Sequence, residues 1–319
     1  MFGMFKKMPA NSEPLGVALS DLLVMLAPTS IRATIVGDTL VAQHEHYKVV
    51  VEVIPPEVRE TEDGPIRAVV RIKSEIPRAV FDMFKANSEE FCATLNRFAA
   101  TGAVTRDGKA IYVGSRLTIY ESEDAWRTLH LPLLAFTTIY GSEAILGGLR
   151  RSFPGQAPRG GKSNWTAHHL KGVYGLLSQF CACSTDGLAL TAEFGLSKGA
   201  VSAAVGDHHT ALFQMQADQP HPELGGGLFC LLNMPYDLAD EQRHMEVCRK
   251  LNALEMSARG LPPHFGAWCA GGRGSNFAYV SFIPNALSSV PGIEQNVAIW
   301  ALSRAQAARG ALASLGVRV

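Results

Sequence analysis

The chain has 319 residues, of which 47% are apolar and 18% are charged, and its 29 basic residues balance its 29 acidic residues. This length predicts two domains of roughly 150 residues each, and the composition excludes a disordered chain. Because the net charge is zero and no run of 18 apolar residues occurs, we expect neither a nucleic-acid partner nor a membrane-spanning helix.

The first part of the sequence predicts a helix followed by strands. Pro14 stands in the first turn, leucines at helical spacing continue to Leu26, and Pro28 ends the helix. Three strands are predicted to follow, and after a charged loop a further segment alternates as an antiparallel strand with one wet face: Thr34–Val36, Thr39–Ala42, Tyr47–Ile54 and Ile66–Lys73.

A second helix follows these strands. Asn87, with an acidic residue three positions later, predicts its start, and Gly102 predicts its end. Phe91, Leu95 and Phe98 share its apolar face. The first half then continues with two strands around a turn at 114–116 and a long helix: Ala110–Val113, Leu117–Glu121 and about 124–149. We summarise this unit as α-β-β-β-α-β-β-α.

The second half repeats the order of elements after a linker rich in glycine, proline and serine at 151–164. Its opening helix is predicted at Trp165–Cys183, and its middle helix is capped by Asp237 or Asp240. The other predicted elements are β-rich segments, a strand-turn-strand unit whose turn spans 271–274, and a last helix: Leu188–Phe194, Ala200–Val205, Thr210–Gln216, Leu228–Asn233, Phe265–Cys269, Phe277–Ile283 and Ile293–Leu315.

One pattern occurs in both middle helices. Residues 91–98 and 247–254 both show an apolar residue, Cys, two variable positions, Leu, Asn, one variable position and an apolar residue. Self-similarity at a long period predicts a duplicated unit. We therefore predict an α+β protein with repeats at 1–150 and 165–319, in which antiparallel sheets packed by helices form an intramolecular pseudo-dimer.

The shared asparagines, Asn96 and Asn252, stand inside these helices. Asparagine is a mediocre residue for a helix interior, because its side chain competes for backbone hydrogen bonds. Its recurrence therefore predicts a packing contact or a backbone hydrogen bond that both repeats use.

The six cysteines predict reduced thiols. None stands in a Cys-x-x-Cys pair, and Cys181-Ala182-Cys183 has no matching second pair for zinc. The first 14 residues lack the apolar core of a secretory signal, so we expect a cytoplasmic protein. Cys92 and Cys248 fall on apolar helix faces, where a thiol behaves as a small hydrophobe and its pKa is raised.

No motif predicts catalysis or a cofactor. Residues 156–163 resemble a phosphate-binding loop, but Gly155 lies one position too early and no buried strand precedes the loop. His44 and His46 could share one strand face, but no third or fourth ligand stands at a suitable spacing for a metal. A Gly-x-Ser-x-Gly nucleophile elbow is missing from the sequence. We expect no cofactor and no metal.

The order of elements, occurring twice, resembles the fold of bacterial type III secretion chaperones and the related YbjN-like proteins. The resemblance covers roughly 12–150 and 165–315. It implies an antiparallel sheet packed by helices, with the middle helix at a dimer interface. It also implies a function in binding other proteins.

Two functions remain open. The first is a non-enzymatic, chaperone-like protein, either a monomeric pseudo-dimer or a homodimer, in which an apolar groove or an exposed strand accepts a segment of a protein partner. The middle helices would pair or line that interface through Phe91, Leu95, Phe98, Val247, Leu251 and Leu254. The alternative is a small-ligand sensor or enzyme with a site between the repeats. Its candidates are Arg116 and Arg273, at turns predicted to be equivalent, with His44, His46 or His264 nearby.

Overall fold

A computed structural model describes residues 19–27, 32–44, 47–61, 64–76, 82, 88–97, 100–107, 110–121, 161–196, 210–236, 238, 240–257, 262–270 and 277–317. Its helices are α1 (Leu19–Leu26), α2 (Ser88–Asn96), α3 (Ala167–Leu177), α4 (Glu241–Glu255) and α5 (Ile293–Ser314), with a short 3-10 turn at Asn285–Ser289. The strands of the first half are β1 (Arg32–Val36), β2 (Thr39–His44), β3 (Tyr47–Ile54), β4 (Glu60–Thr61), β5 (Gly64–Glu75), β6 (Ala103–Asp107) and β7 (Ala110–Tyr120). Those of the second half are β8 (Ala182–Asp186), β9 (Ala189–Gly195), β10 (Thr210–Gln216), β11 (Gly227–Asn233), β12 (Ala267–Ala270) and β13 (Phe277–Pro284).

The two sheets have the same topology. The first has the order β1-β2-β3-β5-β7-β6, with the short β4 beside β5, and the second has the order β8-β9-β10-β11-β13-β12. All of these neighbours pair antiparallel. The predicted α+β fold of two repeats is therefore confirmed. Each repeat places four strands of this order before its middle helix, one more than the predicted unit.

Equivalent helices bury equivalent faces. α1 and α3 each bury three apolar side chains at positions i, i+3 and i+7, which is the spacing of one helix face: Leu19, Leu22, Leu26 and Leu170, Val173, Leu177. These side chains join a continuous apolar cluster with members from both repeats. The predicted helix at 165–183 is shorter in the structure, because Thr166 caps its start and the chain leaves helical geometry after Ser178 to enter β8.

The repeats meet through their middle helices. α2 contacts α4, and each also contacts the edge strand of the other repeat, so that α2 lies against β12 and α4 against β6. The strands β6 and β12 are therefore the inner edges of the two sheets, and β1 and β8 are the outer edges. This reciprocal arrangement is the intramolecular pseudo-dimer.

The two shared asparagines make the same pair of bonds. Asn96 accepts from the Val104 N–H at 2.7 Å and donates to the Val104 carbonyl at 3.2 Å. Asn252 accepts from the Trp268 N–H and donates to the Trp268 carbonyl, both at 2.8 Å. Both amides are buried. Each middle helix is thus joined to the strand that follows it, which confirms the predicted shared backbone hydrogen bond.

We expect Asn96→Ala and Asn252→Ala each to lower the free energy of unfolding by about 2 kcal/mol, because each leaves a buried N–H and C=O without a partner. Urea unfolding followed by circular dichroism measures the change. The control is Thr94→Ala, an exposed position on α2. If Asn252→Ala matched this control, the bidentate contact would not stabilise the repeat.

A glycine follows each middle helix at the same position, two residues before the strand residue that the asparagine binds. A Cβ on Gly102 would lie 2.8 Å from the Gly114 carbonyl oxygen, and a Cβ on Gly266 would collide with the Val280 carbonyl oxygen. The close approach of the backbones therefore requires glycine at both positions. Sequence reasoning assigned Gly102 only to the helix end.

The predicted turn at 114–116 is wrong. These residues lie inside β7, which runs without a break from Ala110 to Tyr120. The strand that pairs with this part of the chain is β6, and the chain reverses between Asp107 and Ala110. The two residues between them in the sequence are Gly108 and Lys109, and a glycine at the first of two turn positions is a hairpin signal that the prediction did not use.

Several predictions lie outside the described residues. These are the start of the first helix before Leu19, the helix at about 124–149, the strand at 200–205 and most of the linker. The division into repeats at 1–150 and 165–319 therefore stays a prediction at its boundaries. Asp240 is the cap of α4 and accepts hydrogen bonds from the N–H groups of Gln242 and Arg243. No helix in the described ranges is both long and apolar enough to cross a membrane.

Candidate functional site

Two backbone contacts at equivalent positions join the repeats, with the donor and acceptor positions exchanged between them. The His264 N–H donates to the Arg116 carbonyl at 2.7 Å, and the Phe282 N–H donates to the Ala100 carbonyl at 2.9 Å. Ala100 and His264 are equivalent, because each lies four residues before the strand residue bound by the asparagine. The two strand residues bound by the asparagines pair with Val113 and Tyr279, so the residues three positions later, Arg116 and Phe282, are also equivalent. The second half of each repeat is therefore joined to the other repeat at the same point.

The side chains at these two junctions differ in chemistry. At one, Ala100 and Phe282 are buried in an apolar cluster with Leu224 and Phe229 packed beside them. At the other, the equivalent pair is His264 and Arg116, and both side chains are fully buried. The duplication thus has an apolar junction and an ionic junction, and the ionic junction is the candidate functional site.

Arg116 crosses from the first repeat into the second. Its Nε donates to the Glu255 carbonyl, its Nη1 to the Thr118 hydroxyl, and one Nη2 hydrogen to the Pro262 carbonyl at 2.8 Å. Glu255 ends α4, and Pro262 lies in the segment between α4 and β12. A β-strand arginine therefore binds the C-terminal end of the other repeat's middle helix, where helix carbonyls lack partners within the helix.

Arg304 reaches the same place from α5. Its guanidinium binds both carboxylate oxygens of Glu255, at 2.7 and 3.3 Å, and donates to the Pro263 carbonyl at 2.5 Å. The Trp268 indole N–H donates to Glu255 at 3.1 Å. The Arg304 guanidinium also lies 4.1 Å from the centre of the Tyr279 ring. The Glu255 carboxylate is thus bound by Arg304 and Trp268, while Arg116 binds the backbone carbonyl of the same residue.

The electrostatics follow from burial and from this geometry. Burial lowers the pKa of Arg116 to about 10, although Glu255 opposes the shift. Burial also lowers the pKa of His264 to about 3, with further lowering by Arg304 and Arg116, while Glu255 again opposes it. Burial alone would raise the pKa of Glu255, but Arg304 and His264 hold it below its usual value. At neutral pH the site therefore contains two cations, one anion and a neutral imidazole.

This arrangement is suited to holding the repeats together. The arginine N–H groups named above already bind carbonyl, hydroxyl and carboxylate oxygens, so they are not presented to an anionic ligand. Arg304 borders two small spaces, one lined by Phe213, Cys230 and Trp300 and one by Leu251 and Ala311. Each has a volume of about 20 Å³, room for a single water. The alternative of a ligand or catalytic site between the repeats stays a prediction.

The two arginines that the sequence paired are not at equivalent positions. Arg116 lies at the ionic junction, and its counterpart in the second repeat is Phe282 and not Arg273. The equivalence failed because it rested on the wrong turn at 114–116. Arg273 and His46 lie outside the described residues, and of His44 the structure describes only the strand backbone.

The described residues that were predicted to line a groove on the middle helices lie in the protein interior. Leu95, Val247 and Leu251 are buried, and Leu254 is partly buried. Phe98 and the side chain of Phe91 lie outside the described residues. The four described side chains therefore pack within the chain and do not line an exposed groove. Burial raises the pKa of the Cys248 thiol, as predicted for an apolar helix face.

Residues 162–164, at the end of the phosphate-loop-like segment, are bound to the second repeat by hydrogen bonds. The Ser163 hydroxyl donates to the Gly227 carbonyl at 2.7 Å. The Asn285 side chain donates to the Lys162 carbonyl and accepts from the Asn164 N–H. These bonds engage the Ser163 hydroxyl and the Asn164 N–H, two donors that a phosphate would need, so they favour a structural function for residues 162–164.

The outer edges are the second candidate surface. β1 and β8 are exposed at four of their five residues, while Ala33 and Cys183 are partly buried against the core. Within the described ranges, seven large apolar side chains are exposed, and six lie on or beside these edges, on α1, β1, α3 and the segments that flank β8: Val24, Ile35, Val36, Tyr174, Phe180 and Leu188. Exposed apolar side chains that cluster in this way mark interaction sites.

Sequence reasoning missed several residues of the ionic junction. Glu255, Trp268, Tyr279 and Arg304 were read as ordinary helix or strand residues. One signal was present: Glu255 follows an apolar helix face, where the first repeat has Ala99 at the equivalent position. A charged residue that replaces a small one between repeats is a sign of divergence at a shared contact.

Comparison with known proteins adds no relative: no protein-family model, no curated protein and no solved structure matches the chain.

Proposed function

We propose that the protein is a non-enzymatic, chaperone-like binding protein that accepts an extended segment of a partner protein as an added strand on β1. The observation that carries this proposal is the exposed apolar surface at that edge. Val24 on α1 is 71% exposed, and Ile35 and Val36 on β1 are 40% and 65% exposed. Strand addition uses the backbone for affinity and such side chains for specificity.

The backbone of β1 can receive a strand. Val36 pairs with Thr39 across a two-residue turn, and in such a turn the first and fourth residues form a hydrogen-bonded pair. Because bonded and non-bonded pairs alternate, Thr34 also bonds to β2, while Ala33 and Ile35 turn their N–H and C=O groups outward. An added strand therefore finds two donors and two acceptors on β1.

The side chains of β1 leave this edge unprotected. Natural sheets block edges with lysine, proline or bulges, but β1 has a single charge, Arg32, at its far end. The opposite end carries Ile35 and Val36. We expect a partner segment with alternating apolar residues. The resemblance to secretion chaperones, which bind protein partners, supports the same kind of ligand.

The test uses a phage-displayed library of random 12-residue peptides selected on the full chain. We expect the recovered peptides to alternate apolar and polar residues and to protect the N–H groups of Ala33 and Ile35 from hydrogen exchange. Ile35→Pro should weaken their binding at least about tenfold, because it removes an outward donor and blocks the edge without breaking a bond to β2. The matched control, Ile35→Val, keeps the donor and should bind normally. Equal binding by Ile35→Pro and Ile35→Val would refute strand addition at β1.

A further inference from the structure

The other outer edge, β8, fits a different occupant. We propose that two copies of this chain associate by antiparallel pairing of β8 with β8, about a twofold axis at Ser184, which joins their second sheets into one. This surface is separate from β1, so the inference does not depend on the proposed function.

The turn after β8 determines which of its backbone groups are free. Asp186 pairs with Ala189 across a two-residue turn, and Gly187 adopts a left-handed φ of 55° that such a turn requires. Asp186 therefore forms a hydrogen-bonded pair, and by alternation so do Ser184 and Ala182. Cys183 and Thr185 turn their N–H and C=O groups away from the sheet.

An axis at Ser184 is the register that uses all of these groups. It places Cys183 opposite the partner subunit's Thr185, and Thr185 opposite the partner subunit's Cys183, which gives four hydrogen bonds. A shift of the axis to Cys183 would need the N–H of Cys181, which already donates to the Leu177 carbonyl at 3.0 Å. A shift to Thr185 would need Gly187, whose backbone is not extended. Both shifts lose hydrogen bonds.

The side chains are self-complementary in the same register. Phe180 is 63% exposed and Leu188 is 42% exposed, and the two lie four residues before and after Ser184. Twofold pairing brings Phe180 to the end where the partner subunit's Leu188 lies, so both ends bury apolar surface. Asp186, the charged residue of β8, faces the partner subunit's Ala182, so like charges do not oppose each other.

The edge also lacks the features that prevent pairing. β8 contains neither lysine nor proline, and four of its five residues are exposed, Cys183 being partly buried. Pairing at β8 leaves the β1 edge of each copy free, so the dimer would present two copies of the surface proposed above. Two chains would then hold a partner segment each.

Sedimentation velocity of the full chain at roughly 1–200 μM tests association, since small edge contacts give weak, concentration-dependent dimers. We expect a shift from monomer to dimer that Thr185→Pro abolishes, because proline removes an outward donor and retains the bonds to β9. Thr185→Ala is the matched control: it loses the same hydroxyl bond to Ala189 but keeps the N–H, and it should dimerise normally.

Cross-linking tests the register. In a background with Cys181→Ser and Cys183→Ser, we expect Ser184→Cys to form a covalent dimer with oxidised glutathione, because directly opposed residues on the axis lie within disulfide range. Thr185→Cys in the same background should cross-link at least about tenfold more slowly. A chain that stays monomeric throughout, or that cross-links through Thr34→Cys on β1 instead, would overturn the inference. Thr185→Pro should still bind the selected peptides, so the two proposals can fail separately.

Discussion

Glu255→Gln should destabilise the protein by about 3–5 kcal/mol, the expected cost of removing one partner from a buried ion cluster. The substitution keeps the size of the side chain but removes its charge. Arg304 and Arg116 would then be buried at the ionic junction without a carboxylate. Urea unfolding at neutral pH measures the loss.

A second glutamate on the same helix provides the control for Glu255→Gln. Glu246 forms an exposed pair with Lys250 at 2.7 Å, one helical turn away. Solvent screens this pair, so Glu246→Gln should leave the unfolding midpoint within experimental error. Equal midpoints for the two variants would mean that the ionic junction contributes no net stability.

His264 should make stability fall in acid. In the unfolded chain this imidazole has its ordinary pKa of 6.5, and in the folded chain burial lowers the pKa to about 3. The unfolded state therefore binds a proton between these values that the folded state does not bind. The free energy of unfolding that His264 contributes is fully present above pH 6.5. It should fall by about 2 kcal/mol at pH 5 and by about 5 kcal/mol below pH 3.

The pH dependence of His264→Phe isolates this effect. The variant keeps a ring of similar size and the backbone bond to Arg116, but it cannot bind a proton. Between pH 7.5 and pH 5 it should lose about 2 kcal/mol less than the wild type. His168→Phe, at an exposed position on α3, should retain the wild-type dependence. The hypothesis fails if all three proteins lose the same free energy over that range.

The two junctions show how a duplicated fold can acquire asymmetry. Ala100 and Phe282 fill one junction with apolar surface, while His264 and Arg116 occupy the equivalent positions in the other. Buried ion clusters often add little net stability compared with apolar packing, but they are costly to break. We therefore expect the ionic junction to disfavour a wrong pairing of the two halves, which would leave its charges unmatched.

The sequence by itself determined the duplication, the antiparallel class and the shared asparagine contact. These features rest on local and periodic signals: alternation in Tyr47–Ile54, capping by Asp237 or Asp240, and the repeated Cys-x-x-Leu-Asn segment in the middle helices. A residue that caps a helix or lies on an apolar helix face can be recognised from the residue types that stand near it in the sequence. The two middle helices could therefore be matched before the pairing of the strands was known.

The tertiary structure decided the site. Arg116, Glu255 and Arg304 are far apart in sequence, and nothing near any of them indicates the other two. Their meeting depends on the register of β7 against β6 and on the packing of α5, both of which are non-local. The same holds for the outer edges, since only the strand order shows that β1 and β8 end their sheets. Local pattern specifies each element, but which buried charges meet and which edges stay open follows from how the elements assemble.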